Sequence, residues 1–97
     1  MKKYKFIYSS HALNDIEDTV RYYNKQQKGL GKRFAAQVQL ALRSIKNNPH
    51  FATVRYDDVR CARVPKFPYM VHYTIDEQTH QVIIAAVYST HQQPLGD

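Results

Sequence analysis

Near its C-terminus the chain reads Val82-Ile83-Ile84-Ala85-Ala86-Val87-Tyr88, a run with no polar side chain before the tyrosine. Its β-branched residues favour an extended backbone. A strand apolar on both sides has to be covered on both, which makes this run the expected central strand of a sheet. With 97 residues the chain supports one core and one domain, 1–97. No stretch reaches the ~18 apolar residues of a membrane span. Phe6-Ile7-Tyr8 is too short an apolar segment to make the basic start Met1–Lys5 a secretory leader. Cys61, the single cysteine, has no internal disulfide partner and suits a reducing compartment, so a cytoplasmic protein is expected.

Other elements arrange themselves around that strand. Residues 3–8 alternate Tyr4, Phe6 and Tyr8 against Lys3, Lys5 and Ile7, the pattern of a strand. Ser9 or Ser10 can cap a following helix, with Asp15, Glu17 and Asp18 near the positive end of its dipole. Ala12, Leu13, Ile16, Val20 and Tyr23 form its apolar stripe, and Arg21 sits at ion-pairing spacing from Glu17 and Asp18. Gly29 and Gly31 mark its end near residue 28. A second helix, about Lys32 to Lys46, buries Phe34, Val38, Ala41, Leu42 and Ile45 and stops before Pro49. Lys32, Gln39, Arg43 and Lys46 line its opposite side. After a loop over 47–57, strands are expected at 59–64 and 69–75, with Pro65 and Pro68 bracketing a bend and a turn at 76–80. The order is β-α-α-β-β-β: an α+β fold, an antiparallel-rich sheet with a two-helix hairpin packed on one face.

Charge is uneven. Residues 1–48 carry a net +7 and residues 49–97 a net −1, for a total of +6. A basic surface predisposes the chain to polyanions or to an acidic protein partner, and at the least favours solubility.

Several strings in this order resemble the RelE/ParE superfamily of toxins from bacterial type II toxin–antitoxin modules. Ser9-Ser10-His11-Ala12 running into Asp15-Ile16 is similar to the family's opening, and Tyr22-Tyr23 stands where a helix tyrosine is usual. Phe34, Leu42 and Ile45 before Asn48-Pro49 look like its second helix. Asp58-Val59-Arg60 and then Lys66-Phe67-Pro68-Tyr69-Met70-Val71-His72-Tyr73 resemble the ParE-like, plasmid-stabilisation branch, and Ala86-Val87-Tyr88 through Pro94 looks like the closing strand and tail. Where the family commonly has a histidine after the last strand and a basic residue before the last proline, this chain has Ser89 and Gln92-Gln93, with His91 between them.

The resemblance implies a growth-inhibiting toxin neutralised by a cognate antitoxin, in a toxin–antitoxin hetero-oligomer, with no cofactor. The ParE-like reading is a non-enzymatic inhibitor of DNA gyrase, and it needs no acid–base set. The RelE-like alternative is a metal-independent, ribosome-dependent mRNA endoribonuclease. It would use His91 or Tyr88 as proton donor and Arg60, Arg63 and Lys66 as phosphate clamps. Arg60 and Arg63, three apart, share a strand face only across a bulge. An inactive partner-binding module of the same fold is the third reading. Under the gyrase reading, Arg60, Arg63 and Lys66 are surface charges that recognise the target, so their loss should leave stability nearly unchanged. The antitoxin surface expected is Tyr22 and Leu40, which lie off the buried stripes, with Lys32, Arg43 and Lys46.

His11, His50, His72, His80 and His91 lack metal-ligand spacing, so no metal site is expected, although His72 and His80 could meet across a hairpin. Cys61 reads as a small strand residue.

Overall fold

The computed structural model describes residues 3–90. It contains β1 (Lys5–Tyr8), α1 (Ser10–Gln26), α2 (Leu30–Asn47), β2 (Val54–Tyr56), β3 (Val59–Arg63), β4 (Tyr69–Asp76) and β5 (Gln81–Ser89). The strands form one sheet in the order β1-β5-β4-β3-β2, with β1 parallel to β5 and every other pair antiparallel. The α+β architecture and the helical hairpin on one face are those expected.

The helices form where the apolar periodicity places them. Ser9 is the cap of α1, its hydroxyl accepting from the Ala12 amide at 3.0 Å. All five expected core positions of α2, from Phe34 to Ile45, are buried. The chain reverses at Gly29, whose φ of +85° is open to glycine at no steric cost. Two residues later the helices nearly touch: a Cβ on Gly31 would lie 2.3 Å from the carbonyl oxygen of Val20. Under the helices lie Val71 and Tyr73 of β4 and Val82, Ile84 and Val87 of β5. Tyr23, Phe34, Phe67 and Tyr69 close one end as a ring cluster with centroids 5.0–6.1 Å apart. The Phe67-Pro68-Tyr69 string thus supplies packing.

Four details differ from the sequence reading. Leu13 is 52% exposed, because α1 buries a stripe through Ala12, Ile16, Thr19 and Tyr23 and Leu13 falls one residue to its flank. Asp15, Glu17 and Asp18 lie beyond the first turn, where the dipole's influence has faded. Glu17 and Asp18 pair with Arg21 as expected, and Asp15 is used elsewhere. The segment assigned to a loop holds β2, a strand too short to show alternation, turned into β3 by Asp57-Asp58 with Asp57 at φ +47°. Finally, the middle strand is β4, with β5 beside it.

The two-sided apolar character of β5 has a local cause. His72 pairs with Ala86 while Tyr73 pairs with Ile84, so Ala85 is an extra residue in the ladder. This bulge resets the alternation. Val82, Ile84 and Val87 therefore join the core under the helices, and Ala86 and Tyr88 turn to the helix-free face.

Candidate functional site

Pairing and alternation sort the functional side chains between the two sheet faces. Arg60 pairs with Tyr73, Cys61 with His72, Ala62 with Val71 and Arg63 with Met70. Arg60 and Ala62 therefore face the helices, while Cys61, Arg63, Met70 and His72 face away from them, together with Ala86 and Tyr88 from β5.

The helix-free face carries a polar cluster. Tyr56 Oη lies 3.0 Å from His72 Nδ1, and Cys61 Sγ lies 3.4 Å from the same nitrogen. The Tyr88 ring meets His72 edge-on at 5.0 Å between centroids, and its hydroxyl lies 3.1 Å from His11 Nε2. That nitrogen is also 3.6 Å from Asp15 Oδ2.

Asp15 is held there by the way the sheet edge is finished. β1 pairs with β5 only from Gln81 to Ile84. Past that point the start of α1 takes over the edge. The Ser9 amide donates to the Ile84 carbonyl, the Ser9 hydroxyl to the Ala85 carbonyl, and the Val87 amide to Asp15 Oδ2 at 2.9 Å. One carboxylate thus satisfies a strand amide and faces His11.

Electrostatics set the protonation states of this cluster. Burial, helped by the positive charge of Arg55, lowers the pKa of His72, and Asp15 opposes them. Burial raises the Cys61 thiol against the pull of Arg55, and burial also raises Tyr56. Near neutral pH all three are uncharged. With Tyr56 protonated, its O–H can donate to Nδ1 when His72 carries its proton on Nε2. A thiol raised in this way is no thiolate, so Cys61 and His72 do not form an activated nucleophile–base pair.

The residues singled out in the sequence fall in different places. Arg60 is half-buried and donates from Nη1 to the carbonyls of Ala52 at 2.7 Å and His50 at 3.2 Å, pinning the α2–β2 connection. Arg63 is exposed on the helix-free face, and Lys66 is exposed in the β3–β4 turn at φ +69°. No bulge brings Arg60 and Arg63 to one face. Tyr88 belongs to the polar cluster, and His91 lies outside the described residues. Tyr22 and Leu40 are 54% and 42% exposed. Lys32, Arg43 and Lys46 are exposed on α2, with Lys46 Nζ 5.2 Å from the centre of the Phe6 ring.

His72 and His80 do not meet. His72 is locked among Tyr56, Cys61 and Tyr88, whereas His80 packs edge-on against Tyr4 at 5.3 Å. Among the described residues no group of three or more His, Cys, Asp or Glu is placed to hold a metal ion, and no helix is long and apolar enough to cross a membrane. Sequence reasoning missed Arg55, Tyr56, His11 and Asp15 as neighbours of this face. Only the Asp57-Asp58 hairpin turn could have flagged Tyr56.

Comparison places this architecture among known proteins. A toxin of the chromosomal ParDE toxin–antitoxin system of P. aeruginosa shares the fold with a TM-score of 0.77 at 9% identity, over 90% of this chain and 96% of that one. The intact RelBE toxin–antitoxin complex of E. coli gives 0.70 at 15% identity, over 92% and 99%. RelBE2 of Mycobacterium tuberculosis gives 0.65 at 20% identity, over 91% and 99%. No curated protein sequence matches. The fold is that of the RelE/ParE toxin superfamily. Residues 6–94 match the family described as the ParE toxin of the type II toxin–antitoxin system parDE. The chain belongs to that family and is a toxin of a type II toxin–antitoxin system.

Proposed function

We propose that this toxin arrests growth by binding DNA gyrase through the helix-free face and the adjoining β3–β4 turn, and that a cognate antitoxin neutralises it. The observation that carries this reading is the divergence of the three cations that a nuclease would need to converge. Arg60 turns under the helices onto backbone carbonyls, Arg63 faces the other way, and Lys66 sits in a turn. Charge stabilisation of a phosphoryl transition state needs preorganised donors aimed at one point. A binding surface does not. The ParE family match supports the same reading, and the solved relatives, being toxin–antitoxin complexes, support the antitoxin.

One arrangement favours metal-independent cleavage of mRNA as the second reading. Tyr88 and His11 are hydrogen-bonded on the helix-free face, and Arg63 stands on the same row two strands away, about 10 Å at the usual strand spacing. Induction of the toxin followed by parallel assays of DNA supercoiling and of mRNA 5′ ends separates the two. Loss of supercoiling with intact messages is expected. Codon-positioned cuts with normal supercoiling would overturn the gyrase reading. Arg63, Lys66 and the α2 stripe Lys32, Arg43 and Lys46, with Tyr22 and Leu40, are the residues through which target and antitoxin are recognised in this reading.

A further inference from the structure

At the β2 side of the sheet a groove of about 380 Å³ lies between α2 and the β2–β3 hairpin. Leu40 and Phe51 line it while remaining 42% and 49% exposed, and Pro65 and Met70 extend its apolar wall. Arg55 and Arg63 also line it, and no acidic residue does. Among the described residues neither arginine forms an ion pair. Two unneutralised guanidinium groups beside exposed Leu and Phe side chains define the missing complement. It brings apolar side chains to cover the wall and carboxylates to accept from the arginine forks. A second copy fits poorly, since each copy carries +6. A nucleic-acid strand would answer the arginines and leave Leu40 uncovered.

We infer that this groove seats an acidic, amphipathic segment of the antitoxin, an assignment that rests on the antitoxin reading above. Leu40 was expected at such a surface from its sequence position, but Phe51 and Arg55 were not. The segment would also cover Arg63, so capture of the antitoxin and masking of a target-facing cation become one event.

Binding of the purified full-length toxin to the product of the adjacent small gene tests this. Phe51→Ser combined with Arg55→Glu should weaken binding by more than about tenfold. The deficit should be larger at about 0.1 M than at about 1 M salt, where the screening length falls from about 10 to about 3 Å. Lys25→Glu, on exposed α1 surface away from the groove, should change affinity less than twofold, roughly the size of a rim charge effect. In the wild-type complex, hydrogen exchange should slow across 51–56 and 61–63, a footprint that decides the matter even if the double variant folds poorly. If the wild-type toxin binds no such partner, the antitoxin reading fails and the groove assignment with it. If the partner binds and the folded double variant retains full affinity, or the footprint lies elsewhere, the groove assignment alone is overturned. Displacement of the partner from the groove by single-stranded RNA with the same footprint would overturn it in favour of a nucleic-acid occupant.

Discussion

The two faces of the sheet are built by different rules. Under the helices, Phe34, Val38, Ile45, Val71, Tyr73, Val82 and Ile84 are nearly inaccessible and repeat at the periods of helix and strand. On the helix-free face, His11, Asp15, Tyr56, Cys61, His72 and Tyr88 come from three strands and a helix end, and hydrogen bonds and ring contacts order them. The first face has redundancy, since many contacts share the load. The second depends on single groups held by their neighbours' protonation and geometry. Substitutions on the first should therefore move stability, and those on the second should move function or pH response.

The largest effect should come from the helix-covered side. Phe34 is fully buried and touches Tyr23, Phe67 and Tyr69. Phe34→Ala removes the ring from the centre of that cluster and should cost about 3–5 kcal/mol in urea unfolding. A loss below about 1 kcal/mol would mean the cluster collapses to fill the space, and the contrast between the faces would weaken.

Arg60 tests the boundary between structure and recognition. The sequence suggested a surface charge whose loss leaves stability alone. Its two hydrogen bonds to the Ala52 and His50 carbonyls imply instead that Arg60→Ala costs about 1–2 kcal/mol, because the α2–β2 connection loses its fastening. Thermal unfolding checks this directly. An unchanged midpoint would return Arg60 to the pool of free surface cations.

How far the sequence could be read follows the same division. The α2 stripe, the proline stop, the hairpin of helices and the strand at 69–75 were legible because apolar period and turn residues encode them locally. Tyr73 shows the limit even there, since its buried hydroxyl donates to the Pro49 carbonyl across 24 positions, a bond no local pattern announces. The extra residue at Ala85 made period-2 reading of β5 fail, and β2 was too short to have a period. The helix-free cluster was illegible because its members, spread from residue 11 to residue 88, share no spacing. Asp15 looked like a dipole carboxylate and serves the amide of Val87, 72 residues away.

Acidification should sharpen the contrast with a smaller effect confined to one pH window. Burial first, then the charge of Arg55, holds His72 below the usual histidine range. The unfolded chain takes up a proton on this residue at the ordinary pKa, while the folded chain resists until lower pH. Between those two values the unfolded state binds more protons, so stability falls as pH falls through the window and is fully present above it. Comparing melting points at about pH 7.5 and about pH 5.5, which bracket the ordinary histidine pKa, wild type should lose more than His72→Gln. Equal losses in the two proteins would show that His72 is not the group responsible.

The smallest effect on the folded state should come from Arg63 and Lys66. Both are exposed, and neither forms an ion pair among the described residues. Replacing each by alanine should change stability by less than about 0.5 kcal/mol, as surface substitutions usually do. Lys66 sits at φ +69°, where a side chain is strained, so Lys66→Gly should be neutral or slightly stabilising and gives a control that removes the charge without adding strain. Against that quiet structural background a growth assay becomes decisive. If the helix-free face and its adjoining turn bind the target, Arg63→Ala with Lys66→Gly should abolish growth arrest while leaving the melting midpoint within a few degrees of wild type. A folded double variant that still arrests growth would take both cations out of target recognition. The cluster around Tyr88 and His11 would then become the part of that face to test next.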